Sequence, residues 1–217
     1  MSSREKPGNS DSRTMEPTIG FSVAITVWKR EYLLPYALQS VLRQGQACRE
    51  IIVLSDGSSR ATRRILEPLR ERHPIRYLKV ERRRKCYGNH LRRRALEETS
   101  GSHVIILGHD CVLYPDYLQT HLLNIGSNPD ALSVVPIDYW RVAVPDGRQP
   151  RADDLMLVGE GEIDLLCIGY PRRLALDLDC FGADMLPFRY ADYLAFDRLR
   201  AHTAPVYQSG PTQAAHY

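Results

Sequence analysis

The sequence lacks a long apolar run and an apolar leader. No segment approaches the roughly 18–20 consecutive apolar residues that a membrane-spanning helix requires. The opening stretch, Met1 to Pro17, is polar and has no apolar core of the secretory kind. We therefore expect a disordered tail over residues 1–18, no transmembrane segment and a cytoplasmic location.

Cysteine is scarce and unsuitably placed for metal or disulfide chemistry. The five cysteines are odd in number and scattered, and no two of them form a C-x-x-C pair. This pattern indicates neither a zinc site nor a disulfide framework, and it fits a reducing compartment. The cysteines are Cys48, Cys86, Cys111, Cys167 and Cys180.

Two glycine-rich nucleotide loops are also missing. A dinucleotide-dependent dehydrogenase needs G-x-G-x-x-G after its first strand, where this chain has Thr26-Val27-Trp28-Lys29. The glycine-rich, arginine-containing loop of a sugar-nucleotide pyrophosphorylase is absent from the same place. Both enzyme classes are therefore disfavoured.

Positive charge is weak in total but concentrated in two places. The formal net charge is +3, yet Arg82–Lys85 and Arg92–Arg94 form dense basic clusters. Such clusters bind phosphates, nucleic acid or an acidic membrane surface, and they also occur as solvated helix faces. All of these interpretations stay open at this point.

The first half of the sequence alternates short β-branched runs with helical patterns, which predicts a parallel sheet covered by helices. Ligands bind such sheets beyond the carboxyl ends of the strands. The predicted strands are Phe21–Val27, Glu50–Leu54, Ile75–Val80 and Val104–Leu107, and the predicted helices are Glu31–Arg43, Ala61–Arg72 and Leu91–Thr99. The candidate ligand-binding segments are therefore Thr26–Trp28, Ser55–Gly57 and Gly108–Asp110.

The second half is less regular. We expect helices at Tyr117–Ile125, Arg172–Leu176 and Asp192–Ala201, extended segments at Leu132–Trp140, Arg141–Val144 and Ile163–Ile168, and a turn at Pro145–Gly147.

Four pieces of the chain together resemble family 2 glycosyltransferases. They are SVAITVWKREYLLPYALQSVLRQ, EIIVLSDGSS, RRRALEETSG and HVIILGHDCVLYPDYL, in that order. The resemblance implies a GT-A type α/β fold, with a Rossmann-like, mainly parallel sheet and a small C-terminal acceptor-binding portion. It also implies an inverting hexosyltransferase with a nucleoside-diphosphate-sugar donor, a UDP-sugar before others, and a saccharide or other hydroxyl acceptor.

The resemblance assigns donor-binding roles to several residues. Asp56 matches the aspartate that accepts a hydrogen bond from the base, with the capping of the next helix as its alternative role. Thr26 and Trp28 match residues that line the base pocket, although Trp28 also suits the edge of the core. Arg92 to Arg94 occupy the place of a family Arg-Asn pair, and one or two of them, Arg92 and Arg93 first, are expected at the diphosphate. Asn89 and His90, just upstream, are expected to line the same cleft.

The resemblance also implies a cation site at Asp110. Family members carry several aspartates there to hold Mn²⁺ or Mg²⁺, which neutralises the departing diphosphate. Here Gly108, His109 and Cys111 replace the other acids. His109 is either a second ligand, which favours Mn²⁺, or a histidine bonded to the backbone. His216 matches a C-terminal family histidine at the metal, unless it belongs to a frayed tail.

The acceptor side needs a general base, and two aspartates are candidates. Asp192 matches the acidic position at the start of a late helix, where it would also suit a helix cap. Asp184 lies in a Gly-Ala-Asp segment that resembles the family's Gly-Phe-Asp and is the second candidate. We expect residues 19–116 to bind the donor and residues 117–217 the acceptor.

The acceptor half is short, which suggests a small open site or completion by a partner chain such as a second copy. The thinned acidic cluster leaves an alternative function, a non-catalytic nucleotide-sugar-binding or nucleic-acid-binding protein of the same fold.

Overall fold

The structure is a computed structural model that describes residues 19–57, 59–139, 163–185, 191–208 and 214–216. Predictions for residues 1–18, for Trp140 to Val144 and for the turn at residues 145–147 fall outside the described residues. Ten strands and six α-helices follow one another in the described ranges. In chain order they are β1 Phe21–Val27, α1 Leu34–Leu42, β2 Cys48–Asp56, α2 Arg60–Arg70, β3 Ile75–Val80, α3 Asn89–Glu98, β4 His103–Gly108, β5 Cys111–Leu113, α4 Tyr117–Ile125, β6 Leu132–Val134, β7 Asp138–Tyr139, β8 Ile168–Pro171, α5 Arg172–Asp177, α6 Ala191–Arg200, β9 Pro205–Tyr207 and β10 Ala214–His216.

The first half forms the predicted parallel sheet. β1 pairs in parallel with β2 on one side and β4 on the other, and β3 pairs in parallel with β2. Every residue of β1 except Thr26 is buried, as expected of a strand covered on both faces. The α/β prediction and the four parallel strands are therefore confirmed.

The second half extends this sheet with mixed pairing. β8 runs antiparallel to β4, β6 runs antiparallel to β8, and β9 pairs in parallel with β6, giving the order β3-β2-β1-β4-β8-β6-β9. A separate three-stranded sheet has the order β5-β10-β7. The strands β5, β9 and β10 were not predicted, because each has only three residues and no clear alternation.

The prediction of an extended segment over Ile163–Ile168 was wrong in its centre. Leu165–Cys167 form a 3₁₀ turn instead, and β8 begins only at Ile168. The Asp164 side chain accepts a hydrogen bond from the Leu166 amide at 2.8 Å, which favours the turn.

Two other predicted elements differ in part from the structure. A 3₁₀ turn at Glu31–Leu33 replaces the first turn of the predicted Glu31–Arg43 helix. The predicted Leu132–Trp140 strand is divided into β6 and β7 within its described part.

Two buried histidines at the base of the sheet predict acid sensitivity. Burial lowers the pKa of His121 to about 3 and that of His103 to about 4. Both are neutral in the folded state, whereas an unfolded histidine binds a proton below about pH 6.5. The free energy of unfolding should therefore be at its full value above that pH. Below it, the free energy of unfolding should fall by about 1.4 kcal/mol per histidine per pH unit, until the pH reaches the pKa that the histidine has in the folded protein.

Chemical denaturation tests this expectation. Between pH 7.5 and 5.5 the two histidines together should lower the free energy of unfolding by about 2–3 kcal/mol. The variant His121→Gln should lose about half of that pH dependence, while the exposed control His202→Gln should keep it all. An identical pH dependence in His121→Gln would contradict the assignment.

Candidate active site

Two cavities open at the carboxyl ends of the parallel strands. The first, here called the basic cavity, has a volume of about 640 Å³ and the second, the Asp110 cavity, about 400 Å³. The basic cavity is lined by Trp28, Asp56, Arg82, Arg83, Arg84, Lys85, Tyr87 and Gly88. The Asp110 cavity is lined by Leu33, Tyr36, His109, Asp110, Cys111 and Val112.

Asp56 lies at the last position of β2 and faces the basic cavity. It does not cap the following helix, because Ser59 performs that role by accepting from the Thr62 amide at 3.1 Å. Asp56 Oδ1 instead lies 3.2 Å from His90 Nε2. The side chain is thus held in place from the protein side while it borders the cavity.

Two exposed aromatic rings flank this carboxylate. Trp28 is 49% exposed and Tyr87 is 59% exposed, and both line the basic cavity. Trp28 is therefore not an anchor of the core, and the Lys29 ammonium lies 4.6 Å from its ring centroid. Exposed ring faces beside a carboxylate suit a flat heterocycle that carries an N–H group.

Asp110 follows β4 and forms an ion pair with Arg30. Arg30 Nη2 lies 2.5 Å from Asp110 Oδ2, and the Arg30 side chain is 54% exposed. Lys29 and Arg30 both have left-handed backbone angles, with φ of 55° and 42°. Such angles cost about 1–2 kcal/mol each in non-glycine residues, so the surrounding structure must stabilise this loop.

Gly108 allows the close approach of the Asp110 side chain. A Cβ atom at position 108 would lie only 2.7 Å from Asp110 Oδ1. Any side chain at position 108 would therefore require the Asp110 carboxylate to move.

His109 and Thr26 connect the ends of β1 and β4. The Thr26 carbonyl accepts from the His109 amide at 3.1 Å and from His109 Nδ1 at 3.2 Å, and the Thr26 hydroxyl donates to the Leu107 carbonyl at 3.4 Å. Burial lowers the pKa of His109. Since Nδ1 donates to a carbonyl, Nε2 of the neutral ring carries the lone pair. Nε2 is buried and has no hydrogen-bond partner among the described residues.

The side chains around the Asp110 cavity could bind a divalent cation, but they offer it few ligands. Across the described ranges, no three His, Cys, Asp or Glu side chains gather as a complete metal cluster. Asp110 and His109 both line the Asp110 cavity and carry donor types that Mn²⁺ accepts, so a cation there would need phosphate oxygens as further ligands. The backbone of His216 pairs with Cys111 in the β5–β10 ladder and so lies beside this region.

Asp192 is the second residue of α6, within its first turn. Burial raises the pKa of Asp192, with the nearby Arg92 guanidinium opposing and the Asp164 charge adding to the shift. Burial raises the pKa of Cys111, the neighbour of Asp110, and the charges of Asp110 and then Asp164 add to that shift. The charge of Asp164 therefore acts on both the Asp192 region and the Asp110 region.

Asn89 and Arg92 join the two halves of the chain. Asn89 is fully buried and donates to the Met185 carbonyl at 2.8 Å, while its side-chain oxygen accepts from Arg92 Nη1 at 2.8 Å. Arg92 is thereby held near Asp192 and also lies over the Phe181 ring.

Arg93 and Asp184 do not line either cavity in the described part of the chain. Arg93 forms ion pairs with Glu97 and Asp179 on the surface. Asp184 pairs with Arg198 at 2.5 Å, and this contact lowers its pKa.

Sequence reasoning missed several residues of the site. Arg30, Tyr36 and Tyr87 come from loops or helix faces whose sequence carries no ligand-binding motif, and Asp164 precedes a turn that was predicted as extended. The only available signal was position, since Arg30 follows β1 closely and Tyr87 precedes α3.

Within the described residues, none of the helices combines the length and apolar character that spanning a bilayer requires.

The family model described as glycosyl transferase family 2 matches residues 22–173, more than half of the chain. The crystal structure of S. aureus TarS 1–349 aligns with a TM-score of 0.71 at 16% identity, covering 91% of this chain and 60% of that one. The complex of the same TarS fragment with UDP-GlcNAc aligns with a TM-score of 0.70 at 16% identity, covering 91% and 58%.

The chain spans less than two thirds of these structures, and only 36% of the longer S. aureus TarS structure. At 16% identity the likeness shows a shared fold alone. No curated protein matches the sequence significantly.

Proposed function

This chain belongs to glycosyl transferase family 2, and on that basis we propose that it transfers a hexose from a UDP-sugar to an acceptor hydroxyl, with inversion at the anomeric carbon. The observation that carries the proposal is the placement of Asp56 and Asp110 at the ends of β2 and β4, on either side of β1. Each borders its own cavity, and the Trp28–Arg30 loop contributes to both regions. A donor with a base at one end and a sugar at the other suits this arrangement.

The base of the donor binds in the basic cavity. Asp56 accepts a hydrogen bond from the base edge, and Trp28 and Tyr87 offer ring faces for stacking. S. aureus TarS has been solved with UDP and with UDP-GlcNAc, which supports a uridine nucleotide as the donor.

The diphosphate crosses the Trp28–Arg30 loop towards the Asp110 cavity. Arg30 is half exposed and carries a planar guanidinium that suits bidentate contact with phosphate oxygens. Arg92 and Arg93 stay candidates for the same charge, with Asn89 fixing the position of Arg92.

Asp110 would hold Mn²⁺ or Mg²⁺, with His109 and His216 as candidate further ligands. When bound, such a cation supplies positive charge that stabilises the leaving diphosphate.

Asp192 is the proposed general base, and Asp184 is the second candidate. The Asp192 carboxylate takes the proton of the acceptor hydroxyl as the acceptor oxygen attacks the anomeric carbon. The bond from that carbon to the diphosphate oxygen breaks, and its electron pair leaves with the diphosphate. Attack from the opposite face inverts the anomeric configuration.

The division of labour is part of the proposal. Residues 19–116 bind the donor and residues 117–217 bind a saccharide or other hydroxyl acceptor, alone or with a second copy of the chain.

The proposed location is the cytoplasm. All five cysteines are free thiols, which supports a reducing, cytoplasmic setting.

The four cations that line the basic cavity favour one alternative, a non-catalytic protein that binds nucleic acid or a nucleotide sugar. Such a protein would bind RNA with strong salt dependence and would not transfer sugar.

Calorimetric binding of UDP, GDP, CDP and a short RNA tests the proposal. The unsubstituted protein should prefer UDP, and Asp56→Asn should weaken UDP binding about ten- to a hundredfold, because a hydrogen bond to a charged acceptor is lost. The surface variant Asp177→Asn on α5 is the control and should bind UDP normally. Unchanged UDP affinity in Asp56→Asn, or binding of RNA alone, would contradict the proposed function.

A further inference from the structure

A buried hydrogen-bonded chain supports Asp56 from behind. His90 Nε2 lies 3.2 Å from Asp56 Oδ1, and His90 Nδ1 lies 3.0 Å from Cys86 Sγ. Cys86 is 5% exposed and His90 is 6% exposed, so both lie behind the cavity wall. The three side chains come from the end of β2, the loop before α3 and the first turn of α3.

The loop before α3 has an unusual backbone that places these two side chains. Lys85 and Tyr87, on either side of Cys86, have left-handed φ angles of 59° and 47°, and Gly88 follows with 80°. Left-handed angles at two non-glycine residues cost about 1–2 kcal/mol each. The Asn89 amide donates to the Cys86 carbonyl at 2.8 Å, which closes the turn.

The direction of the hydrogen bonds follows from the chemistry of the groups. Burial lowers the pKa of His90, so the ring is neutral and carries one N–H. A carboxylate only accepts, and therefore the proton is on Nε2 and is donated to Asp56. Nδ1 then carries a lone pair that faces Cys86 Sγ at 3.0 Å, and the single thiol proton lies between this nitrogen and the Arg83 carbonyl, which is 3.1 Å from Sγ.

We propose that His90, oriented by Cys86, is a positioning residue that engages one oxygen of Asp56 and leaves the other for a base with a single N–H on its pairing edge. Uracil has one such N–H between two carbonyls. Guanine presents two N–H groups on that edge, and the second of them would have to share Asp56 Oδ1 with the His90 N–H, which weakens its hydrogen bond. The chain thus selects uracil over guanine. This inference rests on the proposed role of Asp56 in donor binding.

Three groups of variants test the proposal by calorimetry with UDP and GDP. His90→Leu should weaken UDP binding about tenfold and reduce the preference for UDP over GDP by a similar factor. His90→Gln, which offers an amide N–H at a similar reach, should retain most of the preference. Cys86→Ser keeps a hydrogen-bond donor and should retain the UDP affinity and the UDP preference of the unsubstituted protein. Cys86→Ala should give values between those of the unsubstituted protein and those of His90→Leu.

The control variant is Asp177→Asn, an exposed residue of α5 that pairs with Arg173. It should leave both affinities unchanged. In turnover assays His90→Leu should raise the donor KM with little change in kcat, a separation that general loss of folding would not produce.

The tautomer gives a measurement that needs no variant. Nitrogen NMR of the ring should show a neutral His90 protonated at Nε2. A ring protonated at Nδ1 would overturn the proposal, as would an unchanged UDP-to-GDP ratio in His90→Leu and Cys86→Ala. If Asp56→Asn abolishes UDP binding while both of these variants bind normally, only the positioning role fails. If the unsubstituted protein binds no nucleoside diphosphate, the proposed function fails with it.

Discussion

Asp192→Asn should lower the rate of sugar transfer by about 10²–10⁴-fold, the usual contribution of a positioned general base. Asparagine has nearly the same shape but cannot accept the proton of the acceptor hydroxyl. Donor affinity should change little, since the proposed donor contacts are made from other elements. The measurement is kcat with saturating donor, together with UDP affinity by calorimetry.

Asp184→Asn is the matched comparison for this experiment. Asp184 is exposed and ion-paired with Arg198, and that contact lowers its pKa, which makes it a weaker base than Asp192. We expect it to retain transfer within a few-fold of the unsubstituted protein. If Asp184→Asn loses most of its transfer activity while Asp192→Asn transfers normally, Asp184 and not Asp192 is the general base.

The pH dependence of the transfer rate should reflect the raised pKa of Asp192. Burial raises the pKa of Asp192, and a general base acts only when it is deprotonated. The rate should therefore fall on the acid side, at a pH above that expected for an ordinary aspartate. Arg92→Gln would remove a positive charge that opposes the shift, so the acid limb should move to still higher pH.

The parallel half of the fold could be predicted because its signals are local. β1, β2 and β4 are continuous β-branched runs that are buried on both faces, and a helical period separates each from the next. The resemblance then located Asp56 and Asp110, since loops at the ends of such strands bind ligands.

The remaining features depend on contacts between distant residues, which no short pattern encodes. The Arg30–Asp110 pair joins residues 80 positions apart, and the Asp56–His90 contact joins residues 34 apart. The short strands β9 and β10 pair with partners far away in the sequence. Such elements are stabilised by tertiary pairing, and propensity over three residues carries little information.

Asp110→Asn should lower kcat/KM for transfer by about 10²–10³-fold, a typical loss when one electrostatic contact to a developing negative charge is removed. The substitution keeps the shape beside Gly108 but removes the negative charge that attracts a cation. It also breaks the ion pair between the Asp110 carboxylate and the Arg30 guanidinium. Fold stability should change little, because the Arg30 partner is half exposed.

Metal dependence distinguishes this loss from simple damage to the loop. With UDP present, Mn²⁺ should raise the melting temperature of the unsubstituted protein and of the control Asp116→Asn, whose left-handed position, φ 65°, asparagine tolerates. In Asp110→Asn that increase should disappear, and chelation should slow the unsubstituted enzyme towards the rate of the variant. Normal turnover by Asp110→Asn, or an unchanged response to Mn²⁺, would show that this carboxylate neither holds a cation nor supports the departing diphosphate. Arg30 would then be the nearest remaining source of positive charge, and Arg30→Gln would be expected to produce the larger loss.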